Sequence, residues 1–219
     1  MDLVEMDPPY GIDLDDLRTD KSAMLNYTEI EKKEFLEFIS RAIFLSHRAL
    51  RNGGWLVMWF GPDPWYSILP QLIESFGFVV KYIPALWVKP KGQTRQPRTT
   101  MANSYEMFLY ARKGEAILQK QGRVNTYIYS GVSADRRIHP TERPIEMIED
   151  VLSTFVPAGS NVLVPFLGSG NTLLAAHNRG MSAFGYDLSE EYKNAFILRV
   201  NEGTPGNYKS YSDPKAKKQ

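Results

Sequence analysis

Apolar residues along this chain fall into two spacings, short unbroken runs and longer stretches of helical period, and their alternation predicts strands interleaved with helices. Trp55–Phe60 is an unbroken apolar run of buried-strand length. Asp2–Met6, Phe78–Val88, Tyr105–Ala111, Val162–Val164 and Ala183–Tyr186 read as further strands, with a short one near Thr126–Tyr129. Between Thr28 and Arg51, Phe35, Phe38, Ile39, Ala42, Ile43, Leu45, Ala49 and Leu50 mark one helical face. Thr28 followed by Glu31 predicts a capping box, and Gly53-Gly54 a stop. Helices are also expected over Asp63–Ser75, with Pro64 in its first turn, over Thr141–Phe155, over Gly170–Arg179, and over Ser189–Val200 with Ser189 as cap. Residues 11–28, 89–104 and 113–138 read as loops, and 203–219 as a flexible tail.

Strands alternating with helices imply an α/β fold, a mostly parallel sheet covered on both faces. The two strands between Phe78 and Ala111 have no helix between them, so one antiparallel strand is expected. At 219 residues the chain fits one such domain. The absence of cysteine excludes disulfides, thiolate metal sites and cysteine nucleophiles, and suits a reducing cytoplasm. Three histidines give a metal site little support, and no apolar run is long enough to span a bilayer.

The net charge of +1 hides an asymmetry. Residues 1–37 carry eleven acids against four bases, whereas residues 89–123 carry eight bases against Glu106 and Glu115. A local basic segment in a neutral chain suits phosphate contacts. Lys89, Lys91, Arg95, Arg98 and Arg123, with Arg136 and Arg137 beyond them, are the candidate nucleic-acid contacts; the alternative is a solvated loop with scattered charge.

Two turns carry candidate chemistry. Pro165-Phe166-Leu167-Gly168-Ser169-Gly170 leaves a strand and opens a helix. Glycines let a backbone approach a ligand, and a helix start offers unpaired N–H groups. Asp187, nineteen residues after Gly168 at the end of the next strand, suits the two hydroxyls of a ribose. Leu173 stands where a dinucleotide fingerprint needs its third glycine, and no Gly-Lys-Ser/Thr follows. A nucleoside cofactor without a pyrophosphate remains, and S-adenosylmethionine fits that description; a helix cap with no ligand is the alternative. Phe166 is placed to pack against the cofactor, and Thr141 to cap its helix or hold the cofactor's methionine end.

Asp7-Pro8-Pro9-Tyr10 opens the loop after the first strand. An aromatic amine is a poor nucleophile because its lone pair is delocalised into the ring. Asp7 and the Pro8 carbonyl can accept its two hydrogens, Pro8 and Pro9 stiffen the turn, and Tyr10 can stack on the base. The base must first leave the helix stack. A rigid surface turn is the alternative. His139 reads more readily as a packed histidine than a catalytic one.

Together these pieces resemble the β class of DNA amino-methyltransferases, in which the catalytic Asp-Pro-Pro-Tyr precedes the Phe-x-Gly-x-Gly turn. The resemblance runs from Asp2 to about Glu202 and rests on Asp7–Gly11, His139–Pro144, Pro165–Gly170 and Gly185–Tyr192. It implies a circularly permuted, Rossmann-like methyltransferase domain over 1–202, with a target-recognition-like insertion at about 89–137. It implies S-adenosylmethionine as cofactor, double-stranded DNA as substrate, and service in DNA methylation and restriction-modification. The catalytic residues would be Asp7, Pro8, Pro9 and Tyr10, and the cofactor residues Asp7, Thr141, Pro165, Phe166, Gly168, Ser169, Gly170, Asn171 and Asp187. An initial Asp suggests adenine N6 over cytosine N4, where Ser is usual. Arg143 stands where the family has Lys, Val164 where it usually has Asp, and Asn171 where it often has Thr. Members usually begin with another strand ending in Gly-Asp, so a bare edge is expected at Ala183–Tyr186, to be covered by a second copy, a further segment or a partner. The rivals are methyl transfer to RNA or a protein amide, and a catalytically silent module that binds nucleic acid or a partner.

Overall fold

The computed structural model describes residues 1–11, 30–94, 96–132 and 142–210. Eight strands form one sheet. β1 (Leu3–Met6) lies between β2 (Trp55–Phe60) and β7 (Asn161–Val164), and β8 (Ser182–Gly185) follows β7 at one end. On the other side of β2 come β5 (Asn103–Arg112), β4 (Ala85–Gln93) and β6 (Thr126–Ile128), while the two-residue β3 (Val79–Val80) pairs with β5. Only β5 runs against the rest. The expected mostly parallel sheet with one antiparallel strand is observed.

The central strands β1 and β2 are buried along their whole length, which is why they read as apolar runs rather than alternating ones. Val4, Met6, Leu56 and Met58 pack on one face beneath α1 (Lys32–Ala49) and α3 (Leu69–Ser75), through Phe35, Ile39, Ile43 and Ile73. Leu3, Val57, Trp59 and Phe108 pack on the other beneath α4 (Ile145–Phe155) and α5 (Asn171–Asn178). α6 (Glu190–Glu202) begins at Ser189, whose side chain accepts from the Tyr192 N–H at 3.3 Å, as expected.

Several boundaries differ from expectation, each for a local reason. α1 starts at Lys32, with Glu31 extended at ψ 138°. Thr28 lies outside the described residues. The first side chain of this helix to reach the core is Phe35. The helix expected over 63–75 is two pieces, α2 (Pro62–Trp65) and α3, with Asp63 non-helical at φ −102°, ψ 121°. Pro64 drives the residue before it out of the helical region. The strand expected over 78–88 breaks at residues 81–84 and resumes as β4, which runs on to Gln93 through a register shift after Val88. Proline at 84 has no N–H for the ladder. The basic stretch therefore begins inside the sheet. α4 begins at Ile145 rather than Thr141, with Pro144 extended at ψ 134°.

The tail expected from 203 is docked as far as Ser210. Tyr208 is buried against the core and exchanges hydrogen bonds with Asn178 at 2.7 and 2.8 Å. Ser210 Oγ accepts the first N–H of α4, from Ile145, at 2.5 Å. Residues 211–219 lie outside the described ones.

Candidate active site

β1 and β7 are neighbouring parallel strands with Leu3 beside Val162 and Val4 beside Leu163. Their loops therefore leave the same edge of the sheet, one strand spacing apart, about 5 Å. Asp7-Pro8-Pro9-Tyr10 leaves β1 there, and Pro165–Gly170 leaves β7. This is where open α/β sheets bind ligands. β4 runs in the same direction, so its connection to β5, described at residues 94 and 96–102, also projects from this edge.

At the β1 end the side chains form one network. Tyr10 donates its hydroxyl to Asp7 Oδ1 at 2.8 Å. Arg143 donates to both Asp7 oxygens, Nη1 to Oδ2 and Nη2 to Oδ1, and Nη2 also reaches Tyr10 Oη and Glu106 Oε2, each at 2.9 Å. Its guanidinium lies 4.0 Å from the centre of the Trp59 ring. Glu106 in turn accepts from Lys89 at 2.5 Å. Burial opposes ionisation of Arg143, but Asp7, Tyr10 and Glu106 raise its pKa well above the usual arginine value. Burial alone would raise the Glu106 carboxyl, yet Arg143 and Lys89 hold it below the usual range. Burial, then the Asp7 charge, keeps the Tyr10 phenol protonated far above its ordinary range. The turn is further pinned by Trp65, whose indole N–H donates to the Tyr10 carbonyl at 2.6 Å.

Glu5 is the buried acid beneath this site. It accepts from Trp59 Nε1 at 2.7 Å and from Thr172 Oγ1 at 3.1 Å, so it ties the Arg143 platform to the first turn of α5. Its pKa is pushed up to about 7, by burial first and the Asp7 charge second, against Arg143, Trp59 and Thr172. A carboxyl so raised binds its proton more tightly in the folded than in the unfolded chain. Its contribution to stability is complete below 4.5, the unperturbed value, and is lost as pH rises through about 7. The loss is on the order of 3 kcal/mol. Glu5→Gln cannot titrate, so its melting temperature should gain on that of the unchanged chain by roughly 5–10 °C between about pH 5 and pH 8. Parallel melting curves across that range would contradict the assignment.

The glycine turn fits a nucleoside. Gly168 and Gly170 adopt φ +54° and +77°, and Gly170 is the N-cap of α5. Asp187 accepts from the Gly168 N–H at 2.7 Å and the Ser189 N–H at 2.9 Å. It is exposed at the sheet edge with lone pairs left for hydroxyls. Ser169 is buried in the turn, and Pro165 is half-buried at its start. Asn171 turns inward: its amide donates to Glu142 at 3.0 Å and to the Arg143 carbonyl at 2.7 Å, and its oxygen accepts from Arg199. The ring of Phe166 lies 5.6 Å from that of Phe38 on α1. Val164 is buried beside β1, in the register that places Glu5 on the adjoining strand. Thr141, His139, Arg136, Arg137 and Arg95 lie outside the described residues.

Of the other candidate nucleic-acid contacts, Lys91 and Arg98 are exposed on and beside the β4–β5 hairpin. Lys89 is engaged with Glu106, and Arg123 with Asp150 and the Tyr127 ring. Sequence reasoning missed Arg143, Glu106, Trp59 and Glu5 as members of the site. One signal was available: Glu5 is a charge inside a four-residue strand that is otherwise apolar.

A family model described as DNA methylase, of the N6/N4 type, matches residues 1–198. The type II methyltransferase M.ScaI of Streptomyces caespitosus is 35% identical over 68 residues, which span 31% of this chain and 22% of that protein. M.BglII of Bacillus subtilis is 23% identical over an alignment covering all of this chain and 68% of its own. The structure of M1.HpyAVI, solved as its SAM complex, superposes with a TM-score of 0.69 at 25% identity, over 91% of this chain and 88% of its own. With the Asp7–Tyr10 and glycine turns at one sheet edge and the match running through both, this chain belongs to the N6/N4 DNA methylase family.

Proposed function

We propose that the protein is a S-adenosylmethionine-dependent DNA methyltransferase that methylates adenine N6 in a base flipped out of the duplex. The observation that carries this reading is the placement of Asp7 and the Gly168–Gly170 turn on neighbouring parallel strands, leaving one edge of the sheet. S-adenosylmethionine, when bound, supplies a methyl group already activated on a sulfonium. The protein's work is then positioning and electrostatics. Asp7 and the Pro8 carbonyl accept the two amine hydrogens, which draws the nitrogen lone pair out of the ring and aims it towards the glycine turn. Asp187 and the backbone of Gly168–Gly170 hold the nucleoside end. Adenine is favoured over cytosine by aspartate at the first motif position.

Labelled methyl transfer to a mixture of duplex DNA and RNA, followed by digestion to nucleosides, tests this. Label should co-migrate with N6-methyl-2′-deoxyadenosine. Label in N4-methylcytosine would overturn the base assignment, and label in RNA alone would overturn the substrate. The reading also gives Lys91 and Arg98 a role on the DNA backbone. Replacing both with alanine should weaken binding across all sequences and reduce the slope of log affinity against log salt by about two. An unchanged slope in a fluorescence-anisotropy salt titration would remove the hairpin from the interface.

A further inference from the structure

Asp7 is not free to turn. Oδ1 accepts from Tyr10 and from Arg143 Nη2, and Oδ2 accepts from Arg143 Nη1. A carboxylate oxygen offers about two acceptor positions. Oδ1 is therefore filled and Oδ2 keeps one. The guanidinium that imposes this is itself held on four sides. Glu106 draws Nη2 from across the sheet, Trp59 lies beneath the plane, Tyr10 Oη accepts at the side, and Asn171 pins the backbone carbonyl from the first turn of α5. The residue is only 5% exposed, and its Nε has no hydrogen-bond partner among the described residues. Its Nη contacts all go to Asp7 and to the neighbours Tyr10 and Glu106.

We propose that Arg143 is a positioning residue of the methyl-acceptor site: its two-pronged grip leaves Asp7 a single acceptor position, on Oδ2, for the incoming amine hydrogen, and Glu106 keeps the guanidinium in that grip. This rests on the reading that Asp7 holds the amine. Lysine cannot reproduce the fork: an ammonium is a compact point charge without the rigid planar pair of N–H groups that meets both carboxylate oxygens in parallel. The position is consequently more demanding than its charge.

The test uses the full chain with duplex DNA and saturating cofactor. Arg143→Lys preserves the charge balance of the buried cluster and should fold and bind S-adenosylmethionine like the unchanged protein, as read by calorimetry. Its kcat should fall about tenfold, with KM for DNA and cofactor within about twofold, because misplacement of a reacting group costs rate rather than affinity. Glu106→Gln should lower kcat in the same sense. Arg143→Ala should lose about a hundredfold and regain part of it when methylguanidinium is added, a recovery that a purely structural role would not show. An unchanged kcat in Arg143→Lys, or a fall matched by an equal loss of cofactor affinity, overturns the proposal. The two readings separate through Asp7→Ala. If that variant is inactive while Arg143→Lys is fully active, only the role of Arg143 fails; if Asp7→Ala is active, or the unchanged chain binds cofactor and transfers no methyl, the amine-holding role fails first.

Discussion

Asp7→Ala should lower kcat by a factor on the order of 10³ or more and lower S-adenosylmethionine affinity far less. A single preorganised hydrogen-bonding group at a reacting centre is worth about 10²–10³ in rate, and Asp7 has two tasks. In the proposed reading it accepts an amine hydrogen, and in the structure it anchors Tyr10 and Arg143. Removing it leaves Arg143 with Glu106 and Tyr10 alone. The glycine turn and Asp187 are not touched by the change, since Asp187 makes its contacts with Gly168 and Ser189. Asp7→Asn is the sharper variant. Oδ1 faces two donors, Tyr10 Oη and Arg143 Nη2, and Oδ2 faces only Arg143 Nη1, so the asparagine best places its carbonyl at Oδ1. Its NH₂ then occupies the place of Oδ2, a donor facing an amine that also donates. Asn should therefore be nearly as inactive as Ala despite its matching shape. Single-turnover transfer with both variants at saturating cofactor is the measurement. Activity of Asp7→Asn within tenfold of the unchanged chain would show that the acceptor on Oδ2 is not what matters.

Gly170→Ala should destabilise the domain and remove cofactor binding together. Gly170 sits at φ +77°, and a Cβ built there would lie 2.1 Å from Phe196 Cδ2 on α6. The left-handed backbone costs a residue with a Cβ about 1–2 kcal/mol, and overpacking against a ring adds about 1–3. The sum corresponds to a melting temperature lower by roughly 5–15 °C. Relief by moving Phe196 would tilt the glycine turn, so cofactor affinity should fall more than tenfold even where the fold survives. The double variant Gly170→Ala/Phe196→Ala separates the two costs. It should recover the clash term relative to Phe196→Ala alone and retain the backbone term. Equal effects of Gly170→Ala in both backgrounds would show that Phe196 is not the obstacle.

Much of this was legible in the chain. β2 and β7 could be placed within a residue because buried strands and glycine turns punctuate sharply, and Ser189 was readable as a cap because its hydroxyl and the Tyr192 N–H are three residues apart. Some helix boundaries were not. α4 loses its first turn to Pro144, which stands extended as its N-cap. Nor was the docking of Tyr208, whose partner Asn178 is 30 residues away. The two motif turns were visible because each is contiguous. The cluster around Arg143 was not, because Glu106 and Asp7 come to it from 37 and 136 residues away. A conservative exchange of lysine for arginine hides a change from a point charge to a fork.

A ternary complex with a non-reactive cofactor analogue and duplex DNA tests the central claim most directly. The account predicts an extruded adenine with N6 bonded to Asp7 Oδ2 and the Pro8 carbonyl, and the transferable-methyl position of the analogue about 3–3.5 Å from N6. An analogue seated on the Gly168–Gly170 turn but directed away from Asp7, or a target base held elsewhere, would contradict it.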